Sequence, residues 1–248
     1  MRIVPALVLL VFSAAPAPAQ TPVEVRAGDA IVDAARVEAR TDTFAMAFES
    51  GGAALLVIRT ALGGDAAAPT LLRVERISTL EGREVSMDSF AARRPTLVPV
   101  FDVQRQRRST RTLSFPPGAV TGKKESGGTR TPVNATLDPP AFYMNTTDLL
   151  LASLPLEQRR EFRVAMWDPD HGAYTLRLLA AAALTTHTVD GGTCDAWKVE
   201  AEDRDGAATY WVERRTRALL AYQAEGMELR IVHHPACPPS AGGRRESR

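Results

Sequence analysis

Apolar and polar residues alternate along most of this chain. RVEARTDTFAMAF (36–48), AALLVIRT (53–60) and TLLRVERIST (70–79) have period-two character, the spacing of strands with one buried face. EVSMDSFA (84–91), TLVPVFDV (96–103), RRSTRTLSF (107–115), AVTGKK (119–124) and TPVNATL (131–137) continue the series, with glycine- and proline-rich turns between them. Beyond residue 160 the pattern resumes. REFRVAMW (160–167) reverses at DPDHG into AYTLRLLAAAALTTHTV (173–189), which reads as one long strand. TCDAWKVEAED (193–203), AATYWVE (207–213), ALLAYQA (218–224) and MELRIV (227–232) form a four-stranded meander, turning at DGG and RDG.

NTTDLLLASLPLEQ (145–158) breaks the alternation. Asn145, Thr146 or Thr147 can cap a helix, Asp148 suits its positive end, and Pro155 stops it. Leu150, Leu151 and Leu154 recur at helical spacing and need an apolar sheet face to cover them. The pattern therefore predicts a mainly β fold with one short Leu-rich helix. No change of composition divides the chain, so a single domain over 20–235 is expected.

Two arginine-rich stretches stand out. Arg214, Arg215 and Arg217 fall in the bend between two strands and read as a solvated surface. RQRRSTR (105–111) reads as an exposed edge strand with charges on both faces, to which an anionic head group could be drawn. Catalytic signatures are missing: there is no Gly-x-Ser-x-Gly, Ser-x-x-Lys or His-Glu-x-x-His. GAVTGKKE (118–125) has the wrong spacing and strand-like flanks for a phosphate loop. Asp168 and Asp170 around Pro169 are turn chemistry rather than an acid–base pair. The sequence points to no enzyme and no cofactor.

The N-terminus adds a compartment. Arg2 precedes a short apolar run, and Ala17 and Ala19 occupy small-residue positions ahead of a cleavage site after Ala19. Residues 1–19 are expected to be a signal peptide, giving a periplasmic or secreted protein without stable membrane insertion. Lys and Arg number 30 and Asp and Glu 29; the formal net charge of +1 argues against nucleic acid as a partner. PPSAGGRRESR, within the tail 236–248, is expected to be disordered.

Export makes the two cysteines a candidate disulfide. Cys194 opens the first strand of the meander, and three reversals bring the fourth strand back to its level. Crossing three strand spacings takes roughly 14 Å, and the segment from His233 to Cys237 extends roughly 16 Å. The alternative is a buried Cys194 and a free Cys237. His233, His234 and Cys237 do not make a metal site, because adjacent histidines on a strand point apart and four ligands are wanted.

The order TLVPVFDVQRQRRSTRTLSFPPGAVTG, NATLDPPAFYMNTTDLLLASLPL, then GGTCDAWKVEAED and TYWVERRTRALLAYQAEGMELRIV resembles a family of uncharacterised exported bacterial domains. These are similar to the LolA-like half-barrels of lipoprotein carriers. The resemblance rests on Asp138, Pro139, Phe142, Leu149–Leu151, Leu154, Pro155, Gly192, Asp195, Ala196, Trp197, Trp211, Val212, Thr216 and Leu219. It implies a strongly curved antiparallel sheet, a half-barrel, with the helix covering its concave face. It implies no reaction. A binding protein for a lipid or other apolar ligand is then expected, with Leu150, Leu151, Leu154, Trp197, Tyr210, Trp211 and Tyr222 as candidate lining. The alternative is an envelope interaction or assembly module without a small ligand, its protein partner unknown.

Overall fold

The alternation becomes hairpins. The computed structural model describes residues 21–64, 68–158, 160–180, 184–189, 192–232 and 237. The proposed signal peptide, His233, His234 and the tail beyond Cys237 lie outside the described residues. A first meander runs through β2 (Arg40–Phe48), β3 (Ala53–Gly63), β4 (Thr70–Thr79), β5 (Glu84–Arg93), β6 (Pro99–Gln106), β7 (Ser109–Ser114), β8 (Ala119–Ser126) and β9 (Thr129–Thr136). A second runs through β11 (Glu161–Asp168), β12 (Gly172–Ala180), β13 (Thr185–Val189), β14 (Gly192–Asp203), β15 (Gly206–Glu213), β16 (Leu219–Ala224) and β17 (Met227–Ile231). The last strand of the second pairs antiparallel with the first strand of the first, Ile231 opposite Phe44, so both belong to one sheet. Two short strands, β1 (Val23–Val25) and β10 (Phe142–Tyr143), run parallel to β11 along its outer edge.

The sheet is strongly curved and open, a half-barrel. Its curl is visible where strands from the two ends of the order meet. Phe115, just after β7, packs edge-on against Trp167 of β11 at 6.1 Å. Lys124 of β8 donates to the Pro169 carbonyl at 2.7 Å and pairs with Asp170 in the β11–β12 turn. That turn is built as its residues predict, with the Asp168 carboxylate accepting from the backbone N–H groups of Asp170 and His171.

Three sequence expectations need correction. The long strand 173–189 is two strands on one partner: Ala180 faces Val199 and Thr185 faces Ala196, so the β12–β13 side carries two extra residues. Arg107 and Arg108 form the β6–β7 turn, and β7 pairs on both sides; the edge strand is β9, where Pro132 blunts it. Arg217 is not a solvated arginine. Its φ of 56° turns the side chain back to the Glu157 carboxylate at 2.6 Å. Arg214 and Arg215 do remain at the surface, while the buried Glu213 carboxylate holds the bend by accepting from the backbone N–H groups of Arg215 and Thr216.

Inside the curve sits α1 (Thr147–Ser153), and every residue from Leu149 to Ser153 is buried. It is therefore enclosed on all sides, where the sequence pattern predicts one apolar stripe. The sheet covers one side; the segment bearing Val32, Ala34 and Val37 joins the same core, and the Asp33 N–H donates to the Ser153 carbonyl at 3.1 Å. A helix this short has no stability of its own and depends on packing. Leu150, Leu151 and Leu154 are 0–1% exposed, and each contributes about 1.5–3 kcal/mol by burial. The predicted cap is not made: Thr146 bonds the Tyr143 carbonyl instead, and Asn145 reaches the sheet.

Polar bonds fix the helix in place. Along β4, β5 and β11 the inward face runs from apolar positions at the α1 end to charged ones nearer the rim formed by the β4–β5, β6–β7 and β14–β15 hairpin tips. Along β4 the inward series is Leu71, Arg73, Glu75; along β5 it is Ala92, Phe90, Asp88; along β11 it is Phe162, Val164, Met166, Asp168. Arg73 binds Asp148 of α1 at 3.2 Å and also pairs with Glu75. Asp102 of β6 accepts from the Arg111 Nε and the Tyr143 hydroxyl, both at 3.0 Å. Asp88 accepts from Asn145 at 2.7 Å and from Gln104 at 3.4 Å. Burial, with the charge and hydrogen bond of Asp102 beside it, pushes the Asp88 carboxyl up to about 8.

Two outcomes follow. Leu151→Asp is expected to lower stability by several kcal/mol, from burial of a charge. Leu72→Asp, on the outward face of β4, should change it by less than about 0.5 kcal/mol; urea unfolding of both variants checks the contrast. Asp88 retains its proton up to about pH 8 when folded but loses it near 3.8 when unfolded. Folding therefore takes up a proton across that interval, and this group makes stability fall as pH rises through it. Asp88→Asn keeps the hydrogen bonds and cannot ionise, so its urea midpoint should decline less than the parent's between pH 5 and 8.

Candidate functional site

At the hairpin-tip rim the inward faces of β14, β15 and β16 leave a groove of about 270 Å³. Its floor is set by strand register. Val199 faces Tyr210, Ala201 faces Ala208, and Ala208 faces Ala224, so small residues line up where Tyr210 and Tyr222 project beside them. These two tyrosines are directly opposite on neighbouring strands, with ring centroids 4.8 Å apart. Leu176 and Met227 complete the apolar part. The tight turns at Gly206 (φ 126°) and Gly226 (φ 78°) let both hairpins end at the groove.

The rim of the groove is acidic. Glu202, Asp203, Asp205 and Glu225 surround the apolar floor. Burial raises the Tyr210 and Tyr222 hydroxyl pKa, and Asp203 raises both further, so both hydroxyls stay protonated at neutral pH. Nearby, the Arg204 guanidinium stacks 4.4 Å above the Tyr174 ring and pairs with the buried Asp168. Tyr174 is pushed up to about 12 by burial, then by Asp203 and Asp205. The site thus offers aromatic faces, phenol donors and a negative border, a set suited to holding a molecule with apolar and polar parts. It presents no activated nucleophile.

The seven residues expected as one lining separate into three places. Leu150, Leu151, Leu154 and Trp197 are packed in the main core around α1. Tyr210 and Tyr222 border the groove. Trp211 lies on the opposite face of β15, 5.5 Å from His187. Alternation along β15 separates Tyr210 from Trp211, so a lining shared by both was excluded by the strand itself. The sequence reading missed Leu176, Asp203 and Met227, which come from other turns of the sheet.

The cysteines are joined. Cys194 and Cys237 form a disulfide with Cα atoms 4.8 Å apart. Among the described residues no group of three or more His, Cys, Asp or Glu side chains is placed to hold a metal ion. The buried carboxylates Asp88 and Asp102 are taken up by Asn145, Arg111 and Tyr143, and Asp102 has no exposed surface from which a substrate could approach.

Residues 52–225 match DUF3108, described as a protein of unknown function. Among solved structures, the chain is similar to a β-barrel-like protein of the domain of unknown function DUF1849 from Brucella abortus. That match has 10% identity and a TM-score of 0.48, over 77% of this chain and 93% of that one. A protein from Bacteroides fragilis described as exported, with a YmcC-like fold, has 8% identity and a TM-score of 0.40, over 78% and 93%. One from Parabacteroides distasonis described as a lipoprotein has 9% identity and a TM-score of 0.34, over 82% and 97%. Among curated proteins none matches. With β3 through β16 inside the matched stretch, the chain belongs to the DUF3108 family.

Proposed function

We propose that this is an exported, non-catalytic binding protein that holds the apolar part of a small amphiphile against Tyr210 and Tyr222. The groove carries this reading: an alanine floor flanked by Tyr210 and Tyr222, open at the hairpin-tip rim, with polar groups at its border. Its volume of about 270 Å³ is at the small end for ligand sites, which suits a compact molecule or one end of a longer chain. The packed leucines of α1 support a binding site at the rim rather than beneath the helix. Export rests on the N-terminal leader, and a LolA-like carrier role rests on the family resemblance of the sequence. The buried carboxylates Asp88 and Asp102 are engaged in holding the helix to the sheet, which supports a non-enzymatic role.

An assembly module would recruit its partner through the free edge of β9. Pro132 removes a backbone donor from that edge, which weighs against strand addition.

The neutral fluorophore N-phenyl-1-naphthylamine tests the groove. Its emission is expected to rise on mixing with the parent protein. Ala208→Trp, which fills the floor between Ala201 and Ala224, should weaken that binding at least about tenfold, the usual effect of losing good apolar contact. Unchanged binding by the variant would place the probe elsewhere and remove the basis of the proposal. Native mass spectrometry of protein taken from its own compartment should show a small-molecule mass adduct; a stoichiometric protein partner alone would favour the assembly role.

A further inference from the structure

Arg105, Arg107, Arg108 and Arg130 are all exposed at two adjacent hairpin tips, β6–β7 and β8–β9. Register brings them together: Arg105 faces Thr110, Thr110 faces Glu125, and Glu125 faces Arg130, in one row across four strands. Arg107, Arg108 and Arg130 border a shallow depression of about 490 Å³. Among the described residues Arg105, Arg107 and Arg108 have no ion-pair partner. Arg130 approaches Glu125 only at 4.0 Å, and Glu125 is already bound by Lys123 at 2.7 Å. Glu125 is the one carboxylate within this row, against the four arginines of the two tips.

The surroundings indicate their partner. On the next hairpin of the same rim, β4–β5, Leu80 is 61% and Val85 46% exposed. Guanidinium groups match phosphate oxygens with two parallel hydrogen bonds, and basic groups beside exposed apolar side chains are the composition of a surface that meets lipid head groups. The chain as a whole is close to neutral, so the attraction is local and sets an orientation.

We infer that the β4–β5, β6–β7 and β8–β9 hairpin tips dock on an anionic phospholipid bilayer, with phosphates received by Arg105, Arg107, Arg108 and Arg130. The inference does not require the groove to bind anything.

Sedimentation with vesicles tests it. The parent is expected to sediment with vesicles of equal parts phosphatidylcholine and phosphatidylglycerol, to be released by salt, and to stay free of vesicles of phosphatidylcholine alone. One basic residue near such a surface accounts for about fivefold in partitioning. The triple variant Arg107→Ser, Arg108→Ser, Arg130→Ser should therefore bind on the order of 100-fold less well, with an unchanged urea midpoint. If the triple variant does not fold, the single serine variants, each expected to lose about fivefold, carry the test. Equal partitioning onto both vesicle types overturns the inference. So does a variant that binds like the parent, or release by inorganic phosphate at constant ionic strength, which would identify a discrete anion site.

Discussion

A strongly curved sheet has an inner face that something must fill, and here the filling is a helix too short to exist alone. Every other feature of the interior answers that constraint. The leucines of α1 supply apolar volume at one end, where Leu71, Phe162 and Trp197 face them. At the other end the helix and the strand before it are held by directional bonds. Tyr143 reaches Asp102, Asn145 reaches Asp88, and Asp148 reaches Arg73. Apolar packing is tolerant of sliding; the bonds to three different strands are not. They set the depth at which the helix sits and so leave the rim beyond it unfilled.

This division accounts for where a site can be. A wholly apolar interior would have closed on itself around the leucines. Because Glu75, Asp88, Lys124, Asp168 and Asp203 occupy inward positions between α1 and the hairpin tips, polar groups interrupt the core on that side. The Tyr210–Tyr222 pair lies at the boundary between the two halves, close enough to the core to be rigid and close enough to the rim to be reached.

Much of the fold was legible in the sequence. Period-two alternation located the hairpins, the run from Asn145 to Pro155 located the helix, and counting reversals in the last meander brought Cys194 to Cys237. What misled was local context. Arg217 and Arg111 read as surface charges because their partners, Glu157 and Asp102, are distant or on another strand. The 173–189 run read as one strand because its interruption shows only against the shorter span of β14. The candidate lining of seven residues joined aromatic residues by type; period two already placed Tyr210 and Trp211 on opposite faces. The partners of the groove tyrosines, Leu176 and Met227, are set by the order of strands, which no local pattern carries. The DUF3108 match covers β3 through β16 and says nothing of what the groove does.

The seam between β17 and β2 also determines when the sheet can exist. Phe44 and Ile231 are paired neighbours in space, yet nearly the whole described chain separates them in order of synthesis. The first meander can zip hairpin by hairpin from local contacts, which form quickly. Its β2 edge then stays bare until the final strand has emerged, with a row of unpaired backbone groups open to any other strand. Completion is therefore a late, long-range event that waits on the last strand. The sheet cannot be finished before β17 has been made.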